Sequence, residues 1–185
     1  DIKMKKIKIG MIGAGNIANT HLDSYSRVEG AEIYAICDIN PEQFTKAQAI
    51  NIEGKSKYDL SEQTLYTDLD EMIAKEDFEM VDICLPSFLH KEYATRMLRA
   101  GKHVLCEKAF TMNAKEARAV IAYAREKGLY LGDAVWTRYM PSRTMLNDIL
   151  ASGIIGTPRA LTANLSYVID RARILRPELA GGALL

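Results

Sequence analysis

Ile7-Lys8-Ile9-Gly10-Met11-Ile12-Gly13-Ala14-Gly15-Asn16-Ile17-Ala18 is the stretch that decides the fold. Its first six residues are almost wholly apolar, as in a strand buried on both faces. From Ile17 to Val28 the apolar residues recur at helical spacing. Between strand and helix stand Gly13, which permits a tight turn, and Gly15, which lets a backbone approach a pyrophosphate. Ala18 takes the place of a third glycine and still allows close helix–strand packing. The helix mouth, at Asn16 and Ile17, offers unpaired N–H groups and the positive end of the helix dipole to phosphates. Asp38 ends the next strand about 20 residues further on, where this fingerprint places an acid for the ribose hydroxyls. A carboxylate there repels a 2′-phosphate, and Ile39-Asn40-Pro41 supplies no arginine to neutralise one. NAD is therefore favoured over NADP. The competing reading is a glycine turn without a ligand.

Outward from this unit, strand and helix patterns alternate. Ala31 to Cys37 reads as a strand, a helix opens at Pro41, and Gly54 to Ser61 reads as a polar loop. Asp68 to Lys75 is a short helix and Met80 to Leu85 a strand ending at Pro86. His90 to Ala100 is a helix stopped by Gly101, and His103 to Cys106 a short strand. Asn113 to Lys127 is a helix stopped by Gly128, and Tyr130 to Val135 a strand. This alternation predicts an α/β fold, a doubly wound parallel sheet of Rossmann type spanning residues 1–135. From Pro141 the rhythm changes to a helix reaching Ser152, then a longer strand from Arg159 to Tyr167. Residues 136–185 thus read as the beginning of a second domain.

The composition excludes several classes. The 185 residues are 48% hydrophobic and 26% charged, with formal net charge +0. Such a balance fits a globular chain with a real core, not a nucleic-acid binder. The arginines after Lys127 (Arg138, Arg143, Arg159, Arg171, Arg173, Arg176) lack interleaved stacking aromatics and read as loop or interface charges. No apolar run approaches the roughly 20 residues of a membrane span, and no signal peptide is expected ahead of the first strand. Cys37, Cys84 and Cys106 are too widely spaced for a disulfide framework or an ordinary metal motif. They read as strand-end packing, and a reducing cytoplasm is the expected compartment.

A second constellation is Leu85-Pro86-Ser87-Phe88-Leu89-His90, followed by Ala100-Gly101-Lys102-His103-Val104-Leu105-Cys106-Glu107-Lys108-Ala109. With the glycine loop, these segments resemble the glucose-fructose oxidoreductase / inositol dehydrogenase (Gfo/Idh/MocA) family. Trp136-Thr137-Arg138-Tyr139-Met140-Pro141 and Pro177-Glu178-Leu179-Ala180-Gly181-Gly182 resemble its dihydrodiol dehydrogenase branch. The resemblance covers nearly the whole chain. It implies an NAD(P)-dependent oxidoreductase acting on a sugar, polyol or diol, with an open antiparallel α+β second domain through which relatives associate as homo-oligomers.

By that resemblance Lys108 is the active-site lysine, beside the nicotinamide and bonded to the reacting oxygen. A cation there stabilises charge that develops as hydride leaves carbon. Without the motif, Lys108 would read as an exposed lysine after a strand. Glu107 supports the nicotinamide side, and Leu85, Pro86, Ser87 and His90 line the cofactor cleft, although His90 reads equally as a helix-start residue. Trp136 and Arg138 are implied at the nicotinamide or substrate, against the ordinary reading of a lone tryptophan as core. His21 and His103 read as structural. The family usually has proline after the lysine; if that bond is cis in relatives, Ala109 resists it by about 2.5–4 kcal/mol.

In relatives an Asp-x-Gly pattern, supplying a partner acid or base, follows a Gly-Gly-x-Leu-Leu run like the one ending here at Leu185. The chain is accordingly expected to bind cofactor and turn substrate over poorly. A non-catalytic NAD-binding sensor or scaffold is the alternative. A methyltransferase, whose cofactor also lies on a glycine loop, fits the Glu107-Lys108 segment less well.

Overall fold

The structure, a computed structural model, describes residues 5–45, 60–164 and 176. It divides into two compact units, Asp1–Asp133 and Ala134–Leu185. In the first, six strands form one sheet. They are β1 (Ile7–Ile12), β2 (Ala31–Cys37), β3 (Thr64–Tyr66), β4 (Met80–Ile83), β5 (His103–Cys106) and β6 (Leu131–Asp133). Their spatial order is β3-β2-β1-β4-β5-β6, and every pairing is parallel. Chain order therefore runs outward from β1 in one direction and outward from β4 in the other. That reversal opens a crevice at the carboxyl ends of the two central strands, where open α/β sheets bind ligands.

The helices are α1 (Asn16–Tyr25), α2 (Leu69–Lys75), α3 (His90–Arg99) and α4 (Ala114–Glu126). Two apolar clusters divide the core between the sheet's faces. Ile9, Met11, Ile33 and Ile36 pack with Ala18 and Leu22 of α1. Val81, Ile83 and Val104 pack with Met72, Ala94, Met97, Leu98, Val120 and Ala124 of the other three helices. Because strand side chains alternate, Val81 and Ile83 of β4 join one cluster while Cys84 joins the other. Asp82 shares the α1 side with Cys84 and is wholly buried.

Several boundaries differ from the sequence reading. β3 escapes periodicity because three residues give no countable alternation; its pairing of Ala35 with Thr64 defines it. At Pro41 only a single 3₁₀ turn, Pro41–Phe44, is described, capped by the Asn40 side chain. The last strand shrinks to Leu131–Asp133 because only those residues meet β5. In the second unit, a short turn at Trp136–Arg138 leads to α5 (Pro141–Ser152), closed by Gly153 in the left-handed region. The strand expected from Arg159 is not formed over residues 159–164, which have no ladder partner among the described residues; 165–167 lie outside them. No helix among the described residues is long and apolar enough to cross a membrane.

Candidate nucleotide site and lysine turn

The glycine loop is built by two different needs. Gly13 has φ +94, and a Cβ on it would lie 2.6 Å from the Cys84 carbonyl oxygen, so no side chain fits. Its N–H donates to the Cys37 carbonyl at 2.8 Å, tying the loop to the end of β2. Gly15 is unlike it. A Cβ there would meet nothing within 4 Å, so the missing side chain leaves open space at the mouth of α1.

The helix behind that space is also left unfinished. Asp68 caps α2 by accepting from the Asp70 and Glu71 amides, and Asn113 caps α4 by accepting from the Glu116 amide. Gly15 begins α1 with no side-chain cap and no acid in the first turn. The Asn16 and Ile17 amides thus face the cradle with the helix dipole behind them. Open space, uncapped amides and a missing acid suit an anion such as a pyrophosphate.

Asp38 stands at the end of β2 with a task the sequence did not disclose. Its Oδ2 accepts from the Ala14 amide and its Oδ1 from the Asn40 amide, both at 2.8 Å. The carboxylate braces the glycine loop before any ligand arrives. Each oxygen retains a further lone-pair direction for a ribose hydroxyl.

Across the crevice, Leu85, Pro86 and Ser87 follow β4. The Leu85 side chain lies 3.2 Å from where a Gly13 Cβ would be, so the two sequence motifs meet at the adjoining ends of β1 and β4. Ser87 is buried and opens the 3₁₀ turn Ser87–Leu89 that runs into α3. His90 is 0% exposed; its Nδ1 faces the Ala109 carbonyl and its Nε2 the Leu85 carbonyl, each at 2.8 Å. Both ring nitrogens are engaged, so His90 straps the Leu85 loop to the turn after β5.

Lys108 is exposed at the end of β5, and the Lys108–Ala109 peptide bond is cis. Glu107 beside it is turned inward and buried. Its Oε2 accepts from the Lys108 amide at 3.0 Å, and its Oε1 meets His21 Nε2 at 2.9 Å. His21 Nδ1 in turn lies 2.7 Å from Asp82 Oδ2. Burial disfavours a charge on His21, but hydrogen bonds to Asp82, Cys84 and Glu107 outweigh it and raise its pKa. The sequence carried a signal for this bridge. Asp82 interrupts a strand otherwise reading Met-Val-x-Ile-Cys-Leu, and a carboxylate in a covered strand needs a partner. His21 lies one helical turn after buried Ala18, on the face of α1 turned to the sheet.

Gly13, Gly15, Asn16, Ile17, Asp38, Leu85, Pro86, Ser87, Glu107 and Lys108 therefore share the carboxyl edge of four neighbouring strands, β2-β1-β4-β5. Trp136 and Arg138 belong to the second unit, in its opening turn, with Trp136 exposed. Cys37, Cys84 and Cys106 are buried free thiols, and burial pushes the pKa of each upward.

Residues 7–133 match the Gfo/Idh/MocA model, described as an oxidoreductase family with an NAD-binding Rossmann fold. The chain belongs to the Gfo/Idh/MocA family. D-xylose 1-dehydrogenase (NADP(+)) of Hypocrea jecorina is 31% identical over 97% of this chain and 49% of its own length. The scyllo-inositol 2-dehydrogenase (NADP(+)) IolU of Bacillus subtilis is 31% identical over 97% of this chain and 54% of its own. Mouse trans-1,2-dihydrobenzene-1,2-diol dehydrogenase is 30% identical over 97% and 52% respectively. A variant of KijD10, a 3-ketoreductase from Actinomadura kijaniata in complex with TDP-benzene and NADP, superposes with a TM-score of 0.70 at 28% identity, covering 83% of this chain and 44% of that one. The chain thus spans about half the length of the curated Gfo/Idh/MocA relatives it matches.

Proposed function

We propose that this chain binds a nicotinamide dinucleotide, NAD in preference to NADP, and serves hydride transfer to or from a sugar, polyol or diol oxygen-bearing carbon. The observation that carries this reading is the empty Cβ space of Gly15 before an uncapped helix, with Asp38 fixed at the neighbouring strand end. Gly13 to Ile17 hold the pyrophosphate, Asp38 accepts from the adenine-side ribose, and the Leu85–Ser87 loop walls the crevice. Leu85 and Pro86 supply apolar surface, and His90 holds their loop in place. When bound, the nicotinamide supplies the hydride chemistry. Lys108 places its ammonium near the reacting oxygen, where it steadies negative charge.

The preference for NAD rests on Asp38 and on the absence of a cation in Ile39-Asn40-Pro41, since the relatives include NADP-dependent enzymes. Calorimetry with NADH and NADPH tests it, with S-adenosylmethionine as the control against a methyltransferase. NADH is expected to bind more tightly than NADPH, and S-adenosylmethionine not at all. Tighter NADPH binding overturns the preference; binding of neither nicotinamide nucleotide overturns the function.

Asp38→Ser is expected to narrow the gap between the two cofactors. It also removes the brace on the Ala14 amide, so NADH affinity falls by about tenfold or more, as loss of a charge-assisted bond implies. An unchanged NADH:NADPH ratio in that variant would remove Asp38 from the ribose site.

Lys108 supplies a cation, and among the described residues no second group is assigned to take the proton of a substrate hydroxyl. Turnover of xylose, inositol or a diol by these 185 residues is therefore expected to be weak while nucleotide binding is intact. Dehydrogenase assays under saturating NAD check this, and brisk turnover would contradict it.

A further inference from the structure

Asp82 is wholly buried at the centre of the sheet, and the imidazole that answers it comes from the helix whose mouth faces the nucleotide cradle. The same imidazole reaches Glu107, and Glu107 accepts from the amide of Lys108. One continuous chain of hydrogen bonds thus joins β4, α1 and the lysine turn, at 2.7, 2.9 and 3.0 Å. Donor atoms of His21, Asp82 and Cys84 also lie within 4.8 Å of one another, a spacing that a metal ion would accept. Both His21 nitrogens are already spent on carboxylates, so the side chains satisfy one another without an ion.

We propose that His21 is a positioning residue, which bridges Asp82 and Glu107 and so fixes the Lys108 turn relative to the cofactor-holding helix. The proposal rests on the preceding reading, in which Lys108 stands beside the nicotinamide. A neutral imidazole has one N–H and an imidazolium two. Two carboxylate partners at hydrogen-bond distance are both served only by the doubly protonated ring. The groups facing it are Asp82 and Cys84 from β4 and the residue after it, Glu107 from the end of β5, and, through Asp82, Tyr25 on α1 itself. Loss of the central cation leaves two buried carboxylates without their shared donor. Glu107 then has cause to turn out toward water, and the Lys108 amide moves with it.

Two measurements on the 185-residue chain test this. Nitrogen-detected imidazole NMR of the wild type at about pH 8 is expected to show His21 doubly protonated, where an ordinary histidine is neutral. A neutral tautomer overturns the bridge. The second readout is acylation of Lys108 by a small anhydride, followed by mass spectrometry with and without saturating NADH. In the wild type NADH is expected to slow labelling of Lys108. In His21→Gln NADH affinity is expected to stay within a few-fold. In both His21→Gln and Glu107→Gln, each saturated with NADH, protection of Lys108 is expected to fall about tenfold, because small displacements weaken positioned contacts strongly. Wild-type protection in folded His21→Gln or Glu107→Gln reduces the bridge to packing and overturns the proposal. If His21→Gln fails to fold, Glu107→Gln and the wild-type NMR decide it. NADH binding to the wild type with no protection of Lys108 instead refutes the placement of the lysine, and no NADH binding refutes the function; each takes the proposal with it.

Discussion

Gly13→Ala is expected to abolish measurable NADH binding and lower the melting temperature by roughly 10 °C, whereas Gly15→Val is expected to abolish binding with little change in melting. The contrast follows from what each missing Cβ would meet. At Gly13 a methyl lies 2.6 Å from the Cys84 carbonyl, and the residue sits at φ +94. Left-handed strain costs about 1–2 kcal/mol and forced overpacking about 1–3 kcal/mol more. The loop can relieve the clash only by moving away from β4, which takes the Ala14 amide off Asp38 and the cradle out of shape. At Gly15 the Cβ meets nothing, and losing a glycine from the helix start costs only about 1 kcal/mol or less. A valine there fills the space proposed for phosphate and shields the Asn16 and Ile17 amides. Thermal melts and NADH titrations of both variants separate the roles. A Gly15→Val protein that still binds NADH would move the pyrophosphate elsewhere; a Gly13→Ala protein melting like wild type would refute the packing argument.

This pair also marks what the sequence could and could not say. Gly13 and Gly15 were legible because strand, turn and helix each leave a local pattern, and the glycines fall where those patterns join. The strand-end placement of Asp38 and Lys108 followed for the same reason. Contacts across chain distance left less trace. Asp38 bracing Ala14 spans 24 positions, and His21 meeting Glu107 spans 86. Neither separation has a period to read. Only the chemistry of a buried charge hints at such a pair, and that requires knowing that β4 is covered on both faces. β3 was hidden for a related reason: its identity lies in the neighbour it pairs with, not in Thr64-Leu65-Tyr66 themselves.

The buried bridge makes a second large effect expected, on stability against pH. His21 holds its proton more firmly when folded than unfolded, its pKa rising from 6.5 to about 12. The resulting stabilisation is fully present below the unfolded value and drains away as pH climbs toward the folded one. Between pH 7 and pH 8.5, roughly, the folded ring is charged and the unfolded ring is not, so unfolding releases a proton. Stability then falls by up to about 1.4 kcal/mol per pH unit, or about 1–2 kcal/mol over that interval. Cys84, held up to about 12 by burial first and by Asp82 next, contributes with the same sign, but only once an unfolded thiol ionises near 9. Tyr25, raised by burial and by Asp82, enters later still. Cys37 and Cys106, raised by burial likewise, add to the slope with the same sign as Cys84. The imidazole is therefore isolated by the difference between wild type and a variant lacking it. His21→Gln, which cannot ionise, is expected to be less stable than wild type at pH 7 and to lose most of the slope between pH 7 and about pH 8, keeping only the part the buried thiols supply. Urea unfolding of both proteins across that interval measures the difference. Parallel slopes would mean that the charge answering Asp82 and Glu107 does not reside on His21, and the link from α1 to the lysine turn would lose its electrostatic basis.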